Sequence, residues 1–180
     1  MKVGLVRHFK VKQAYPKGAF IPGHVVNEWF RTYDQAEIES GSTDLSGIEW
    51  NKCYVSTLPR AVKTAETIFP GSITPMVELI EIPPPAFSER LRLPFFMWAV
   101  WIRLSMYFDR KTREEIKRAR FRISEVFDHA FGNHTENVLI VSHAALMVFM
   151  REELIRRGFA GPKFKIAKNG ELYVFEKPPC

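Results

Sequence analysis

Three short apolar runs, each ending in polar residues, organise the chain. They extend from Val3 to His8, from Cys53 to Ser56 and from Val138 to His143, and two of them end in a histidine. Continuous apolar runs of this length are typical of strands that are buried on both faces of a parallel sheet. We therefore predict buried parallel strands that belong to one sheet.

Apolar residues between these runs recur at the three- and four-residue spacing of helices that pack on a sheet. No repeat, low-complexity tract or linker interrupts the chain. We therefore predict one α/β domain over residues 1–180, built as three layers with a mostly parallel central sheet flanked by helices. The predicted helices cover residues 24–38, 59–69, 110–131 and the segment after His143, and the further strands cover 73–81 and a closing hairpin of 164–166 and 172–175.

The carboxyl ends of these strands bring charged side chains to one edge of the sheet. Ligands of open α/β sheets bind at that edge, and Arg7, His8 and His143 lie there. Arg60 joins them from the first turn of the helix after Ser56, where the positive end of the helix dipole also favours an anion. Arginine binds oxyanions through paired hydrogen bonds, and histidine can attack phosphorus. We interpret this group as a phosphoryl site; the alternative is solvated arginines beside loop histidines.

Four sequence motifs contain these residues, namely Val6-Arg7-His8, Ser56 to Ala65, Leu79-Ile80-Glu81 and Val141-Ser142-His143. In this order they resemble the histidine phosphatase superfamily, which has the phosphoglycerate mutase-like fold. The most specific part is the S-x-x-x-R-A-x-x-T-A pattern of the second motif. The resemblance implies a small phosphatase-type member in which His8 is the nucleophile and forms a phosphohistidine. It also implies that Arg7, Arg60 and His143 hold the phosphoryl oxygens.

A carboxylate that protonates the leaving group is implied as well, and two glutamates compete for this role. Glu81 follows Leu79-Ile80 in the manner of the family and precedes Pro83-Pro84-Pro85, where regular structure must end. We assign Glu81 as the general acid and keep Glu78 in reserve. Either side chain could instead be an ordinary solvent-facing carboxylate.

Two residues depart from the family's pattern. Phe9 and Ala144 stand directly after the two histidines, where the family usually has glycine. Both side chains add bulk beside the predicted site, so we expect them to restrict the fit of the substrate more than the chemistry. If they crowd the phosphate, the chain would be a catalytically idle member.

The segment from Leu93 to Phe108 is rich in aromatic residues. In the family that the chain resembles, the region after the acid forms a helical cap that influences substrate choice, so we predict such a cap at about residues 82–110. Aromatic residues of this kind are also typical of a core, a pocket wall or an interface. The segment could lie on a membrane surface. It is too short, and is broken by Arg103, so we predict no membrane span.

Composition is that of an ordinary globular protein with a modest charge excess. The hydrophobic fraction is 46%, the charged fraction is 26% and the net charge is +6. Most of the excess lies at residues 110–122, with seven Lys or Arg against two Glu. We interpret it as a solvated helix face and expect no nucleic-acid partner. Cys53 and Cys180 form neither a disulfide framework nor a zinc motif, and Met1-Lys2 leads directly into a strand, so we expect a cytoplasmic protein.

The resemblance, together with these features, implies a metal-independent phosphatase of the histidine acid type that hydrolyses a phosphorylated metabolite or a phosphoprotein. No acidic cluster suited to Mg²⁺ stands out, and the arginines beside the histidines would repel a cation, so we expect no metal or other cofactor. Phosphoglycerate mutase activity is disfavoured, because the chain is shorter than the family's mutases and lacks their Gly-x-Ser after the first histidine. The alternative is an idle member that binds a phosphorylated ligand, a protein or a membrane. The aromatic residues also permit a homodimer.

Overall fold

A five-stranded sheet forms the centre of the computed structural model, which describes residues 1–132 and 136–177. The strands are β1 (Lys2–Arg7), β2 (Ile21–Pro22), β3 (Lys52–Ser56), β4 (Ile73–Met76), β5 (Arg92–Leu93), β6 (Val138–Ser142) and β7 (Leu172–Glu176). The sheet has the order β4-β3-β6-β1-β7, in which β7 is antiparallel and the other four strands are parallel. β2 and β5 form a separate antiparallel pair. The predicted mostly parallel sheet is confirmed.

Five α-helices surround the sheet, with small differences from the predicted bounds. The predicted strand over 73–81 stops at Met76, because Met76 pairs with the last residue of β3 and no partner lies beyond it. A 3-10 helix, Val77–Leu79, follows instead. Asn133 and Cys180 lie outside the described residues. The helices are α1 (Gly23–Gln35), α2 (Pro59–Ile68), α3 (Phe95–Phe108), α4 (Arg110–Ala130) and α5 (Ala144–Arg156).

Residues of the central strand β6 alternate between the two faces of the sheet. Val138 and Ile140 pack in one cluster with the buried faces of α4 and α5, whereas Leu139 and Val141 pack in another with α2. All five residues of β6 are buried, because helices cover both faces of the sheet. The predicted three-layer arrangement of helices around the sheet is therefore confirmed.

The last strand does not form the predicted hairpin. Residues 164–166 form no strand, and β7 pairs antiparallel with β1, with Leu5 opposite Tyr173. This pairing satisfies the backbone groups of β1 on the side away from β6. Phe164 still packs near β7, since its ring centroid lies 4.4 Å from that of Tyr173. The hairpin prediction was wrong because an apolar pattern does not show which strand edge is free.

Helix α3 belongs to a smaller cluster outside the sheet. Its Trp98 packs with Ile21, Val26 and Phe87, and the indole Nε1 donates to the carbonyl oxygen of Ile21 over 3.1 Å. Trp98 is the one aromatic residue of α3 that is buried, so the interpretation of this segment as core applies to a single aromatic side chain. No helix of the described residues has the length and hydrophobicity to cross a membrane.

The ring of Phe9, directly after β1 and His8, is buried between two glycines. A Cβ atom at either Gly41 or Gly170 would lie 2.9 Å from the ring atom Cδ1, closer than carbon atoms pack. Gly170 also has a φ of +68°, a backbone conformation that favours glycine. The Thr43 hydroxyl donates to the carbonyl oxygen of Gly170 over 2.8 Å and joins the two loops around the ring. Phe9 is thus a packing residue of the fold.

We expect Phe9→Ala to lower the free energy of unfolding by about 3 kcal/mol or more, because the ring fills a closed space between two loops. Urea denaturation measures this change. Phe20→Ala is the matched control: its ring is 65% exposed, and we expect a change within about 0.5 kcal/mol. Equal effects of the two substitutions would contradict the assignment of Phe9 to the core.

Candidate active site

Two histidines meet where β1 and β6 end. His8 follows the last residue of β1, and His143 stands between β6 and α5. Because the strands are parallel neighbours, their carboxyl ends lie at the same edge of the sheet, and the two imidazole centroids are 5.2 Å apart. Both side chains are buried. The structure therefore brings together the two histidines that the motifs singled out.

His8 is held in one orientation by its surroundings. Its Nδ1 lies 2.6 Å from the carbonyl oxygen of Phe9. A carbonyl oxygen only accepts, so Nδ1 carries the hydrogen and Nε2 has the free lone pair. The backbone is fixed as well: the His8 N–H donates to Ser142, and the Asn169 side chain donates to the His8 carbonyl oxygen over 2.8 Å.

The imidazole of His8 is neutral over the physiological pH range. Burial lowers the pKa of His8 to about 3, and the charges of Arg60 and Arg7 act in the same direction. The hydrogen bond to the Phe9 carbonyl opposes this shift but does not cancel it. A neutral imidazole with a free Nε2 lone pair is the form that can act as a nucleophile.

His143 is equally buried but has different partners. Its Nε2 lies 2.8 Å from the hydroxyl oxygen of Ser56, at the end of β3. Burial lowers the pKa of His143 well below its ordinary value, and the charges of Arg60 and Arg7 contribute to the shift. In the absence of a bound anion, His143 is therefore neutral.

Arg60 enters the site from the first turn of α2 and is 3% exposed. Its guanidinium donates to the Asp34 carboxylate over 2.7 Å and lies over the ring of Tyr33, 5.2 Å from the ring centroid. Asp34 and Tyr33 are on α1. Both residues fall within the helix predicted over residues 24–38, and the sequence did not single out either as part of the site, because no motif surrounds them.

Arg7 completes the cationic side of the site. One of its guanidinium nitrogens donates to the carbonyl oxygen of Ala167 over 2.8 Å. Three buried nitrogens at the site, Nε of Arg7, Nε of Arg60 and Nδ1 of His143, have no hydrogen-bond partner among the described residues. Buried polar atoms of this kind are uncommon. A tetrahedral oxyanion offers the acceptors and the negative charge that such a group lacks.

Glu81 is tied to the N-terminus of α5, the helix that follows His143. Its carboxylate accepts hydrogen bonds from the backbone N–H groups of Ala145 and Leu146, over 3.1 and 3.0 Å, and from its own neighbour Ile82 over 3.0 Å. Burial raises the pKa of Glu81 above its ordinary value, and the three N–H groups act in the opposite direction. A raised pKa favours a proton donor, while the contacts themselves cap the helix.

A cavity of about 1380 Å³ connects most of these groups, while His143 lies buried behind its wall and is not among the lining residues. Arg7, His8, Arg60 and both candidate acids, Glu78 and Glu81, line it. Both glutamates therefore face the same space. Their surroundings differ, since the hydrogen bonds to the helix that follows His143 are made by Glu81.

The two departures from the family pattern have different outcomes. Ala144 lines the cavity, as expected from its position after His143. Phe9 is not among the lining residues, and its ring is buried between Gly41 and Gly170. The expectation that Phe9 crowds the substrate was therefore wrong, because the two glycines leave space for the ring away from the site.

The family model of the histidine phosphatase superfamily (branch 1) matches residues 34–178. The chain belongs to this superfamily. The match begins after Arg7 and His8, so the place of these two residues in the site rests on the sheet geometry. A search of curated proteins gave no match. Within the described residues, no group of three or more His, Cys, Asp or Glu is arranged to hold a metal ion.

Solved structures share the fold at low sequence identity. A candidate alpha-ribazole-5'-P phosphatase from Escherichia coli is 15% identical, with a TM-score of 0.57 over 97% of this chain and 89% of that chain. A mycobacterial glucosyl-3-phosphoglycerate phosphatase is 12% identical, with a TM-score of 0.51 over 96% and 88%. The ecdysone phosphate phosphatase of Bombyx mori is 15% identical, with a TM-score of 0.51 over 99% and 93%. At these identities the similarity shows the fold alone.

We expect stability to fall as the pH drops below about 6.5, because the unfolded chain then protonates His8 whereas the native protein, with a pKa of about 3, does not. Between about pH 7.5 and 5.5, protonation of His8 in the unfolded chain lowers the free energy of unfolding by about 1.4 kcal/mol. His8→Asn should reduce the pH-dependent loss by that amount in urea denaturation at the two pH values.

His24→Asn is the control for this experiment, since His24 is an exposed histidine on α1 and its replacement should leave the wild-type pH dependence in place. If His8→Asn and wild type lose stability equally on acidification, His8 is not buried as a neutral group.

Proposed function

We propose that the protein is a metal-independent phosphatase of the histidine acid type, which hydrolyses phosphomonoesters through a phosphohistidine on His8. The observation that carries the proposal is the state of His8: a buried, neutral imidazole with a free Nε2 lone pair, near the positive charges of Arg60 and Arg7. Membership of the histidine phosphatase superfamily supports a phosphatase. The solved relatives named above are phosphatases of different substrates, so they leave the substrate open.

In the first step, His8 Nε2 attacks phosphorus and the bond to the leaving oxygen breaks. The electron pair of that bond stays on the leaving oxygen, which takes the proton of the Glu81 carboxyl. Arg7 and Arg60 neutralise the charge on the phosphoryl oxygens, and their planar guanidinium groups suit this because they stay charged. The products are an alcohol, phosphohistidine at position 8 and an ionised Glu81.

In the second step, water attacks the phosphohistidine. Ionised Glu81 takes a proton from the water as its oxygen bonds to phosphorus, and the bond between phosphorus and His8 Nε2 breaks. Phosphate leaves, His8 is neutral again and Glu81 again carries a proton. The elevated pKa that burial gives Glu81 suits a group that must hold a proton in one step and take it up in the other.

His143 acts as a proton-bearing hydrogen-bond donor once a phosphoryl group is bound. In the empty site, burial and the nearby cations hold its pKa low. A phosphoryl group that carries two negative charges offsets those cations and favours the protonated imidazole. His143 then donates to a phosphoryl oxygen alongside the two arginines.

We also propose a substrate class, metal independence and a compartment for the protein. The substrate is a phosphorylated small molecule or a phosphoprotein, and no metal takes part, because Arg7 and Arg60 make the space beside His8 unfavourable for a cation. Cys53 is buried, and burial raises the pKa of its thiol to about 12. A free, unreactive thiol suits a reducing compartment, so we propose the cytoplasm. The exposed aromatic residues of α3 also permit a homodimer.

The direct test is hydrolysis of p-nitrophenyl phosphate with excess EDTA. We expect turnover by the wild type and a loss of at least about 10³-fold in kcat/KM for His8→Ala. Quenching in alkali with ³²P-labelled substrate should trap an alkali-stable, acid-labile phosphoprotein in the wild type and none in His8→Ala. Turnover that survives in His8→Ala, or that EDTA abolishes, would contradict the mechanism.

Leaving-group dependence tests the acid. We expect Glu81→Gln to lower kcat/KM by about 10²-fold or more with an alkyl phosphate and by much less with p-nitrophenyl phosphate, because p-nitrophenolate leaves without a proton. Glutamine keeps one acceptor oxygen, which can take the place of the Oε1 that accepts from the Leu146 and Ile82 N–H groups, so we expect the fold to be preserved. Glu78→Gln is the matched control. If Glu78→Gln shows the leaving-group dependence instead, the two roles are exchanged.

One observation favours a second candidate function, an idle member that binds an anionic membrane. Three aromatic residues on α3, Phe96, Tyr107 and Phe108, are 69%, 72% and 80% exposed. Residues 90–113 carry six Lys or Arg and one Asp. Exposed aromatic residues beside cations suit the surface of an anionic bilayer. Binding to phosphatidylglycerol vesicles, together with no hydrolysis of any phosphomonoester, would favour this function over the first.

A further inference from the structure

The cavity at His8 is larger than a phosphoryl group requires. Its volume of about 1380 Å³ exceeds the usual size of a pocket for a drug-sized ligand. Arg7, His8 and Arg60 line one part of it, and the space continues from there between α1 and α3. Most of the cavity is therefore available to the group that carries the phosphate.

Apolar side chains line this second part of the cavity. Trp29 and Phe30 line it from α1, and Phe95, Ala99 and Ile102 line it from α3. The three residues of α3 are spaced four and three apart and so lie on one face of that helix. The Trp29 ring lies 5.7 Å from that of Phe95, centroid to centroid, which brings the two helices together around the space.

The charged residues that line the cavity away from His8 lie mainly on α4, and several have partners of their own. Arg118 donates to Glu115 over 2.9 Å. Arg122 contacts the carbonyl oxygens of Val77 and Ile80 over 3.4 and 3.5 Å. The surfaces of α1 and α3 that face the cavity therefore favour an apolar group over a second anionic one.

We propose that the substrate is an amphiphilic phosphomonoester, whose phosphate binds at His8 while an apolar group larger than a phenyl ring lies between α1 and α3. A long alkyl, terpenoid or fused-ring group has this chemistry. The proposal rests on the proposed phosphatase function and adds the substrate class. Burial of the apolar group in the cavity adds binding energy to that of the phosphate.

A series of n-alkyl monophosphates tests the proposal. Butyl, hexyl and octyl phosphate have the same kind of leaving group, so a trend in kcat/KM reports contact between the protein and the alkyl chain of the substrate. Each methylene that is fully buried is worth up to about fourfold, and we expect kcat/KM to rise at least about tenfold from butyl to octyl phosphate. A serine phosphopeptide, which also has an alkyl leaving group, is assayed in parallel as the substrate that a phosphoprotein phosphatase would prefer.

Two neighbouring residues of α3 provide a matched pair of variants. Ala99 lines the cavity, whereas Val100 is 49% exposed and is not among the lining residues. Ala99→Glu and Val100→Glu add the same charge to the same helix. We expect Ala99→Glu to remove the preference for octyl phosphate, so that kcat/KM becomes equal for octyl and butyl phosphate. We expect Val100→Glu to keep the wild-type preference.

The outcomes separate this inference from the proposed function. Hydrolysis of all three alkyl phosphates at equal kcat/KM overturns the substrate class and leaves the phosphatase function standing, as does faster hydrolysis of the phosphopeptide than of octyl phosphate. If both variants lose the preference for octyl phosphate equally, the alkyl chain does not lie where we place it in the cavity.

If none of the phosphomonoesters is hydrolysed, the proposed function fails. Calorimetry then decides the inference: affinity that rises from butyl to octyl and is lost in Ala99→Glu supports it, and constant affinity overturns it.

Discussion

Parallel pairing of β1 with β6 is the constraint on which the candidate site depends. Arg7 lies opposite Ser142 in the ladder, and the His8 N–H donates to the Ser142 carbonyl oxygen over 3.0 Å. The two strands therefore end at the same level, and His8 and His143 leave the sheet side by side. A register shift of one residue would turn every side chain of one strand to the opposite face. The side chains of β6 pack in two different clusters on the two faces of the sheet, and such a shift would exchange them. The same residues that build the core therefore also align the site.

Burial of ionisable groups gives the site its chemistry. Both histidines are neutral because they are out of water beside Arg7 and Arg60. A buried guanidinium is unfavourable unless it has a partner, and for Arg60 that partner is Asp34, whose carboxylate is half exposed. Beside the two histidines, two arginines face one aspartate, so this end of the empty cavity is cationic. A bound phosphate restores the balance, which couples substrate binding to the relief of an unfavourable charge arrangement.

Much of this arrangement can be predicted from the sequence, and the reasons for the remainder are physical. Strand ends carry local signals, since an apolar run stops where Arg7-His8 or Ser142-His143 begins. Asp34 and Tyr33 carry none, because their role comes from α1 crossing near α2, a contact between segments distant in the chain. The prediction of a closing hairpin was wrong for a related reason, because β7 pairs with the distant strand β1 and not with the neighbouring residues 164–166. Glu81 differs from Glu78 in its hydrogen bonds to the backbone N–H groups of α5, and no sequence pattern encodes these contacts.

Packing around Phe9 has a consequence for how this chain can diverge. While the ring occupies its place, neither Gly41 nor Gly170 can accept a side chain, because a Cβ atom at either position would overlap Cδ1. Replacement of Phe9 by a small residue would remove this overlap at both positions at once, while the φ of +68° would still favour glycine at position 170. The three positions form an epistatic unit spread over 160 residues, in which the substitution tolerated at one depends on the other two. Homologues should therefore show correlated changes at these positions, independently of the residues that act on the phosphate.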